Sequence, residues 1–370
     1  MFRKIKHFVQ KETVLAIAFV LAVVSCFFVK PDAEYLGYID FHTILILFCL
    51  MVVMAGLKNL GVFQTTGEFL LKKFHTERGI VLVLVFLCFV CSMFITNDVA
   101  LITFVPMAVL VLNMAKMQPM VCLTVTFMTI AANLGSMLTP IGNPQNLYLY
   151  ASSGISLGDF LLLMLPYTLC AAVLLLVCSM ILFKKKSAEF VMKKNEVVIP
   201  KETLIFYLIL FVLCLLNVAK ALSIQLLFVI VFSSVFIKNK KLFKDVDYSL
   251  LATFICFFVF IGNMGRMPAF RDFIMGILEG NERMVSIVIS QVISNVPAAL
   301  LLSGFTSEWN ELIIGTNLGG LGTLIASMAS LISYKQIAQN YPEKKGKYLG
   351  VFTLWNIIFL VILLGFSVIL

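Results

Sequence analysis

Two short polar motifs interrupt otherwise apolar stretches of this sequence: Thr96-Asn97-Asp98 within 79–112, and Ser294-Asn295-Val296 within 284–304. Each is followed by a glycine-rich interruption. The first runs Asn133-Leu-Gly-Ser-Met-Leu-Thr-Pro-Ile-Gly-Asn-Pro-Gln-Asn146 and the second Asn317-Leu-Gly-Gly-Leu-Gly-Thr-Leu324, with Thr316 just before it. Pro140, Gly142 and Pro144 enforce the first break, because proline removes a donor and glycine accepts strained dihedrals. Gly135 lies just ahead of it, and Gly319, Gly320 and Gly322 loosen the second. A broken helix leaves free N–H groups at one half-helix end and free C=O groups at the other. The first suit anions and the second suit Na⁺. Asn97, Asn133, Asn143, Asn146, Asn295 and Asn317 add side-chain carbonyls and amides; Thr96, Thr139, Ser294, Thr316 and Thr323 add hydroxyls. This is the chemistry of holding a small solute or a bare ion. A candidate Na⁺ site lies near Asn97, Asp98 and Asn295, and no other cofactor is called for.

Asp98 is the one acid within these motifs. Acids at membrane depth are costly and usually functional, so it reads as a cation or proton site. A helix N-cap is the competing structural role, and Val296 occupies the matching place in the second motif. Neither tip has a nearby Lys or Arg, so an anionic solute would depend on helix ends, amides and a bound cation.

Composition determines what must position these motifs. Of 370 residues, 61% are hydrophobic and 13% charged, against roughly half and a quarter in a soluble domain. Only a polytopic membrane protein accommodates that ratio. The net charge of +9 comes from short clusters between apolar runs, which topology explains better than nucleic acid does. The nine cysteines lie inside apolar runs without zinc spacing, and the three histidines are scattered. An enzyme would need a nucleophile with its base, or paired acids at depth, and neither is present. There is no phosphate-binding loop of the GxxxxGK[ST] type.

The expected fold is an all-α polytopic membrane protein with about nine transmembrane helices, two re-entrant helical hairpins and two broken helices. Segments long enough to cross are 13–29, 41–57, 119–138, 157–183, 203–219, 222–237, 248–264, 311–333 and 348–370, a span needing ~20 apolar residues. The basic start followed by 13–29 looks like a signal peptide but lacks a cleavage site and reads as a retained first span. With both hairpins returning, 23 of the 28 Lys and Arg fall on the N-terminal side; Lys30, Lys220, Arg266, Arg271 and Arg283 fall on the other. The positive-inside rule then predicts a cell (plasma or inner) membrane protein, N-terminus cytoplasmic and C-terminus outside. The arms of the second hairpin span ~15 Å, half a bilayer. The first hairpin is assigned by analogy.

The chain also divides in two. Residues 1–183 hold spans 13–29 and 41–57, an interfacial stretch 62–76, hairpin 79–112, broken helix 119–150 and span 157–183. Residues 184–221 are a cytoplasmic loop and linker helix. Residues 222–370 repeat the pattern with an amphipathic stretch 268–279, hairpin 284–304 and broken helix 311–333. The extra helix flips the second half, giving inverted-topology repeats, and paired interruptions in such halves point to a transporter's solute site.

The paired tips and breaks, with Thr139-Pro140-Ile141-Gly142-Asn143-Pro144, resemble the ion transporter superfamily over roughly 13–370. That group includes arsenite permeases, bacterial sodium–proton antiporters, citrate–metal transporters and divalent anion–sodium symporters. The resemblance implies a scaffold and a mobile transport domain moving as an elevator, with solute and cation sites at 96–98, 294–296, 133–146 and 316–323. It also suggests a homodimer. The divalent anion symporters carry Ser-Asn-Thr at both tips, which this chain lacks. The leading expectation is a Na⁺- or H⁺-coupled carrier of a small anion, such as the carboxylate citrate. Alternatives are a Na⁺/H⁺ antiporter using Asp98, an arsenite or oxyanion efflux permease and, in a different class, an ion channel.

Overall fold

The computed structural model describes residues 12–188 and 199–369. The basic start with Arg3, Lys4, Lys6 and Lys11, and the stretch of the basic loop holding Lys193 and Lys194, lie outside the described residues. The described chain is all-helical. The helices of nine or more residues are α1 (Thr13–Phe28), α2 (Phe41–Asn59), α3 (Val62–Leu71), α4 (Glu77–Cys91), α5 (Asn97–Met114), α6 (Val121–Ser136), α7 (Pro144–Ser153) and α8 (Leu157–Leu182). After α9 (Lys201–Val218) come α10 (Ile224–Asn239), α11 (Tyr248–Gly265), α12 (Pro268–Leu278), α13 (Glu282–Ile293), α14 (Asn295–Ser303), α15 (Trp309–Leu318), α16 (Met328–Asn340) and α17 (Lys345–Ile369).

Local signals explain the boundaries. Asp40 accepts the Thr43 amide at 3.1 Å and Asp247 the Leu250 amide at 2.9 Å, each capping the helix that follows. Thr76 does the same for Gly79 at 3.1 Å. Pro140 and Pro144 each take the first turn of a helix, where a missing N–H costs nothing. Gly142 sits so close to the Ser136 backbone that a Cβ would collide with it.

Among the described residues, seven helices are long and apolar enough to cross a membrane: α2, α5, α6 with the turn before it, α8, α9, α11 and α17 with the turn before it. The nine expected spans differ from these in three places. Helices α1 and α10 have 16 residues each, and 311–333 is two short helices, α15 and α16. Conversely, α5 of the first hairpin has 18 residues, or ~27 Å, long enough to cross by itself. The second break also lies later than expected: Thr316 and Asn317 belong to the last turn of α15, and irregular chain runs from Gly319 to Ser327. Likewise Asn133 and Gly135 end α6 as helical residues.

Burial sorts the helices. Every residue of α6 except Leu123 is buried, and α6 packs against α4, α5, α8, α16 and α17. The outer helices expose apolar side chains such as Leu162 and Ile181 of α8 and Ile205 and Ile209 of α9, a pattern suited to lipid. Contacts between loops join segments of the same expected side. Asn59 donates to Asp245 at 2.8 Å, the Glu77 amide to Lys186 O at 2.9 Å and Tyr341 to Asn113 at 2.6 Å. Arg266 binds Asp32 at 2.6 Å and Glu34 at 3.4 Å, and Arg283 binds Glu311 at 2.7 Å.

Arg266's hydrogen bond holds the Asp32 carboxyl below its ordinary value of 3.8. A carboxyl lowered in the folded state stabilises it at pH above that ordinary value and loses the contribution as pH falls through the lower folded value. Melting in detergent should therefore shift down below about pH 4, and Asp32→Asn should remove this part of the shift. An unchanged acid profile in the variant would deny the pair that role.

Candidate functional site

Both hairpin tips share an unusual backbone. Thr96 has φ 54° and ψ 146°, and Ser294 φ 76° and ψ 154°. For a side-chain-bearing residue such a conformation costs ~1–3 kcal/mol and persists only where its surroundings enforce it. The surroundings match as well. Thr139 Oγ1 donates to the carbonyl of Met93, and Thr323 Oγ1 donates to the carbonyl of Gln291 at 3.1 Å. Met93 and Gln291 each lie four residues before the tip asparagine. Each break thus pins the arm that leads into its tip. Gln291 adds a brace of its own: Nε2 donates to Gly319 O at 3.0 Å and Leu321 O at 2.9 Å, and Oε1 accepts the Thr323 amide at 2.9 Å. Gly322, with φ 106°, lies against that side chain and leaves no room for a Cβ.

The breaks also hold each other. Asn97 Nδ2 donates to Asn133 Oδ1 at 2.9 Å; Asn133 then donates to Gly320 O at 3.3 Å and accepts from Ser327 Oγ at 3.1 Å. Asn317 reaches the opposite way, donating to Asn146 Oδ1 at 2.7 Å. The Asn295 amide donates to Ala326 O at 3.0 Å. Within the first break, Asn143 donates to Ser136 Oγ at 2.6 Å. Asn97, Asn133, Asn143, Asn146, Asn295 and Asn317 are all buried.

Two spaces adjoin this network. One is a crevice of about 10 Å³ lined by Asn97, Asp98, Asn143, Gln145, Asn295 and Ser327, among others. It joins both tips and both breaks and has room for about one water-sized particle. The other is a cleft of about 340 Å³ whose inner end holds Thr96, Asp98 and Asn143 and whose polar mouth holds Lys58, Asn59, Asp245 and Asp247. Apolar side chains such as Leu50, Met54 and Ile102 line its walls. Asp98 faces both spaces. Its Oδ1 is shielded and has no hydrogen-bond partner; Oδ1 of Asn143, Oδ1 of Asn317 and both polar atoms of Gln145 are likewise unpaired. An orphan buried polar atom costs ~1–3 kcal/mol, and this set is rich in acceptors, which suits a proton, a cation or a hydroxyl donor.

Asp98 does not take the competing N-cap role: its side chain does not cap α5, and the Asp98 amide is bound by Asn97 Oδ1 at 2.9 Å. Of the residues singled out in the sequence, Asn97, Asp98, Asn143 and Asn295 meet in the crevice. Thr139, Thr316, Thr323, Pro140, Gly135, Gly142, Gly319 and Gly322 line neither space and serve the packing around it; Gly135 admits the Phe89 backbone. Gln145, Gln291, Ser327 and Asp247 were not singled out. Ser327 had a signal, since it lies ten residues after Asn317 as Asn143 does after Asn133. Asp247 enters the cleft mouth only through tertiary packing.

Relieving the tip strain gives a direct check. Thr96→Gly and Ser294→Gly should each raise unfolding stability in detergent by roughly 1 kcal/mol while lowering transport, as the tips lose their fixed geometry. Melting temperatures at or below the parent's would show that no strain is stored there.

Comparison with known proteins agrees with this architecture. The citrate transporter (CitMHS) family profile matches residues 8–307. An uncharacterised transporter of Methanocaldococcus jannaschii is 33% identical, covering 90% of this chain and 91% of that protein. The inner membrane protein YbiR of Escherichia coli is 30% identical over 80% of each chain. A silicon efflux transporter of rice, LSI3, is 33% identical over 40% of this chain and 31% of its own. A multi-pass helical chain whose interrupted helices gather buried amides around one acid thus belongs to the citrate transporter family and is a membrane transporter.

Proposed function

We propose that this chain is a secondary transporter, driven by Na⁺ or H⁺, that carries a small anion such as citrate by elevator-type alternating access. The observation that carries the reading is the crevice, where both tips and both breaks meet beside one unpaired acid. No Lys or Arg lines it, and Lys58 is the one cation among the residues lining the cleft. An anion seated near ionised Asp98 would meet repulsion of ~4 kcal/mol at 4 Å for an effective dielectric of 20. Neutralising Asp98 with a proton or Na⁺ removes that penalty. Coupling then follows from charge: the solute binds only after its driving ion.

Several features support alternating access. The order α1–α8 and α10–α17, with α9 between, is what two inverted halves would produce. Helices α13 and α14, with 12 and 9 residues, reach ~18 and ~14 Å, which suits a re-entrant hairpin; the shared tip conformation extends that reading to α4 and α5. The cleft mouth lies among lysine-rich segments, so with the positive-inside rule it would face the cytoplasm. A second reading, exchange of a neutral hydroxylated solute for protons, is favoured by the cleft's three carboxylates, Asp98, Asp245 and Asp247, against Lys58 alone. The rice relative, a silicon efflux transporter by name, adds weight to that alternative.

Purified protein in vesicles, supplied with citrate, silicic acid or arsenite under imposed pH and Na⁺ gradients, separates these. Asp98→Asn should abolish the dependence on pH and Na⁺ while the protein remains folded in the membrane; an unaltered dependence would remove Asp98 from coupling. Asn295→Ala should weaken solute or ion binding at least tenfold without changing any charge, and parental binding would count against a shared site at the two tips.

A further inference from the structure

A second polar feature starts at the crevice, at Ser327, which does not line the cleft. On α16, Ser327 precedes the helix and Ser330 and Ser333 follow at three-residue steps, which places them along one face; all three are buried. Helix α16 packs against α5, α6 and α17. Helix α6 presents Thr129 and Thr126, and α17 presents Tyr348, each 0% exposed. Ser327 bonds Asn133, and Thr129 Oγ1 donates to Ser333 Oγ at 2.7 Å. The Tyr348 hydroxyl is turned toward Thr129, Ser333 and Thr126. Ser330 Oγ, Tyr348 Oη and Thr126 Oγ1 make no hydrogen bond of good geometry, although Tyr348 lies within reach of Thr126, Thr129 and Ser333. Cys122, one turn before Thr126, lies near Lys344, Lys347 and Glu343 at the lysine-rich end.

Hydroxyls that only glue helices together are paired, because an unpaired one deep in the bundle is expensive. Three orphans in one file fit a row bridged by single waters, each satisfying otherwise unpaired groups. We propose that this file, from Ser327 through Ser330, Ser333 with Thr129, and Tyr348 to Thr126, conducts protons between Asp98 and the lysine-rich surface. The inference rests on the reading of Asp98 as the coupling group. Its first link is the crevice, where Asp98 and Ser327 line the same water-sized space. Each hydroxyl or water accepts a proton on its oxygen and releases its own to the next, so no group gains net charge and no other reactant is needed. The file gives the proton a route that a solute filling the apolar-walled cleft would not block. The ionisable groups facing it are few: Asp247 in the cleft with Asp98, together with Asp245 and Lys58, and Cys122 beside Tyr348.

The test plugs the cleft and times Asp98. With the nine native cysteines replaced by alanine or serine, an Asn59→Cys protein labelled with a bulky maleimide closes the mouth, and infrared difference spectra after a pH jump follow the carboxyl band that disappears in Asp98→Asn. The labelled protein should titrate Asp98 at no less than half the unlabelled rate. Adding Tyr348→Phe or Ser330→Ala should slow it tenfold or more, whereas the same variants with the cleft open should titrate normally, which also shows that they fold. Two results overturn the file: a plug that alone stops titration, or variants that titrate as fast as their labelled parent. If no Asp98 band titrates in the open protein, the coupling role itself falls, and the file with it.

Discussion

Hydrocarbon offers no partner for a backbone N–H or C=O, and the architecture around the crevice follows from that constraint. Each interrupted helix must find partners for its loose ends within the protein. Here they come from side-chain amides and hydroxyls on the matching segment: Asn133 takes Gly320 and Ser327, Asn317 takes Asn146, and Gln291 serves three backbone groups around Gly322. The cost of breaking one helix is offset only when the other break is beside it, so the two interruptions bury each other. What results is a polar centre inside a chain whose outer faces are apolar.

Within that centre, satisfaction is deliberately incomplete. The network consumes most amide donors and leaves acceptors over, among them one carboxylate oxygen of Asp98 that has no hydrogen-bond partner among the described residues. A fully paired network would be more stable and inert. Leaving Asp98 without a partner, and leaving Thr96 and Ser294 in a backbone conformation that glycine prefers, keeps stability in reserve for something that arrives from outside. That is the physical content of reading the crevice as a binding site in a transporter.

The two sides of the network differ in kind. Toward the cleft, Asp98 meets a wide space with hydrophobic walls and a charged mouth. Toward α6, α16 and α17 it meets a narrow row of small hydroxyls without charge. A space of the first kind has room for a solute with its shell partly removed, whereas the second offers only buried hydroxyls, as the proposed proton route requires.

The sequence by itself determined that the chain is a membrane protein, where most of its helices lie and where the first of them is interrupted, because hydropathy, capping residues and proline–glycine breaks act locally. The two tips and the first break were legible in it, as were four of the crevice residues. Only the tertiary structure decided that α5 is long enough to cross, that the second break continues to Ser327 and that Asp98 leaves α5 uncapped. It alone brought Asp247 to the cleft mouth and aligned Ser330, Ser333, Thr126 and Tyr348. Those depend on contacts between segments far apart in the chain, and a hydroxyl's partner across a helix interface leaves no periodic mark in the sequence of either helix.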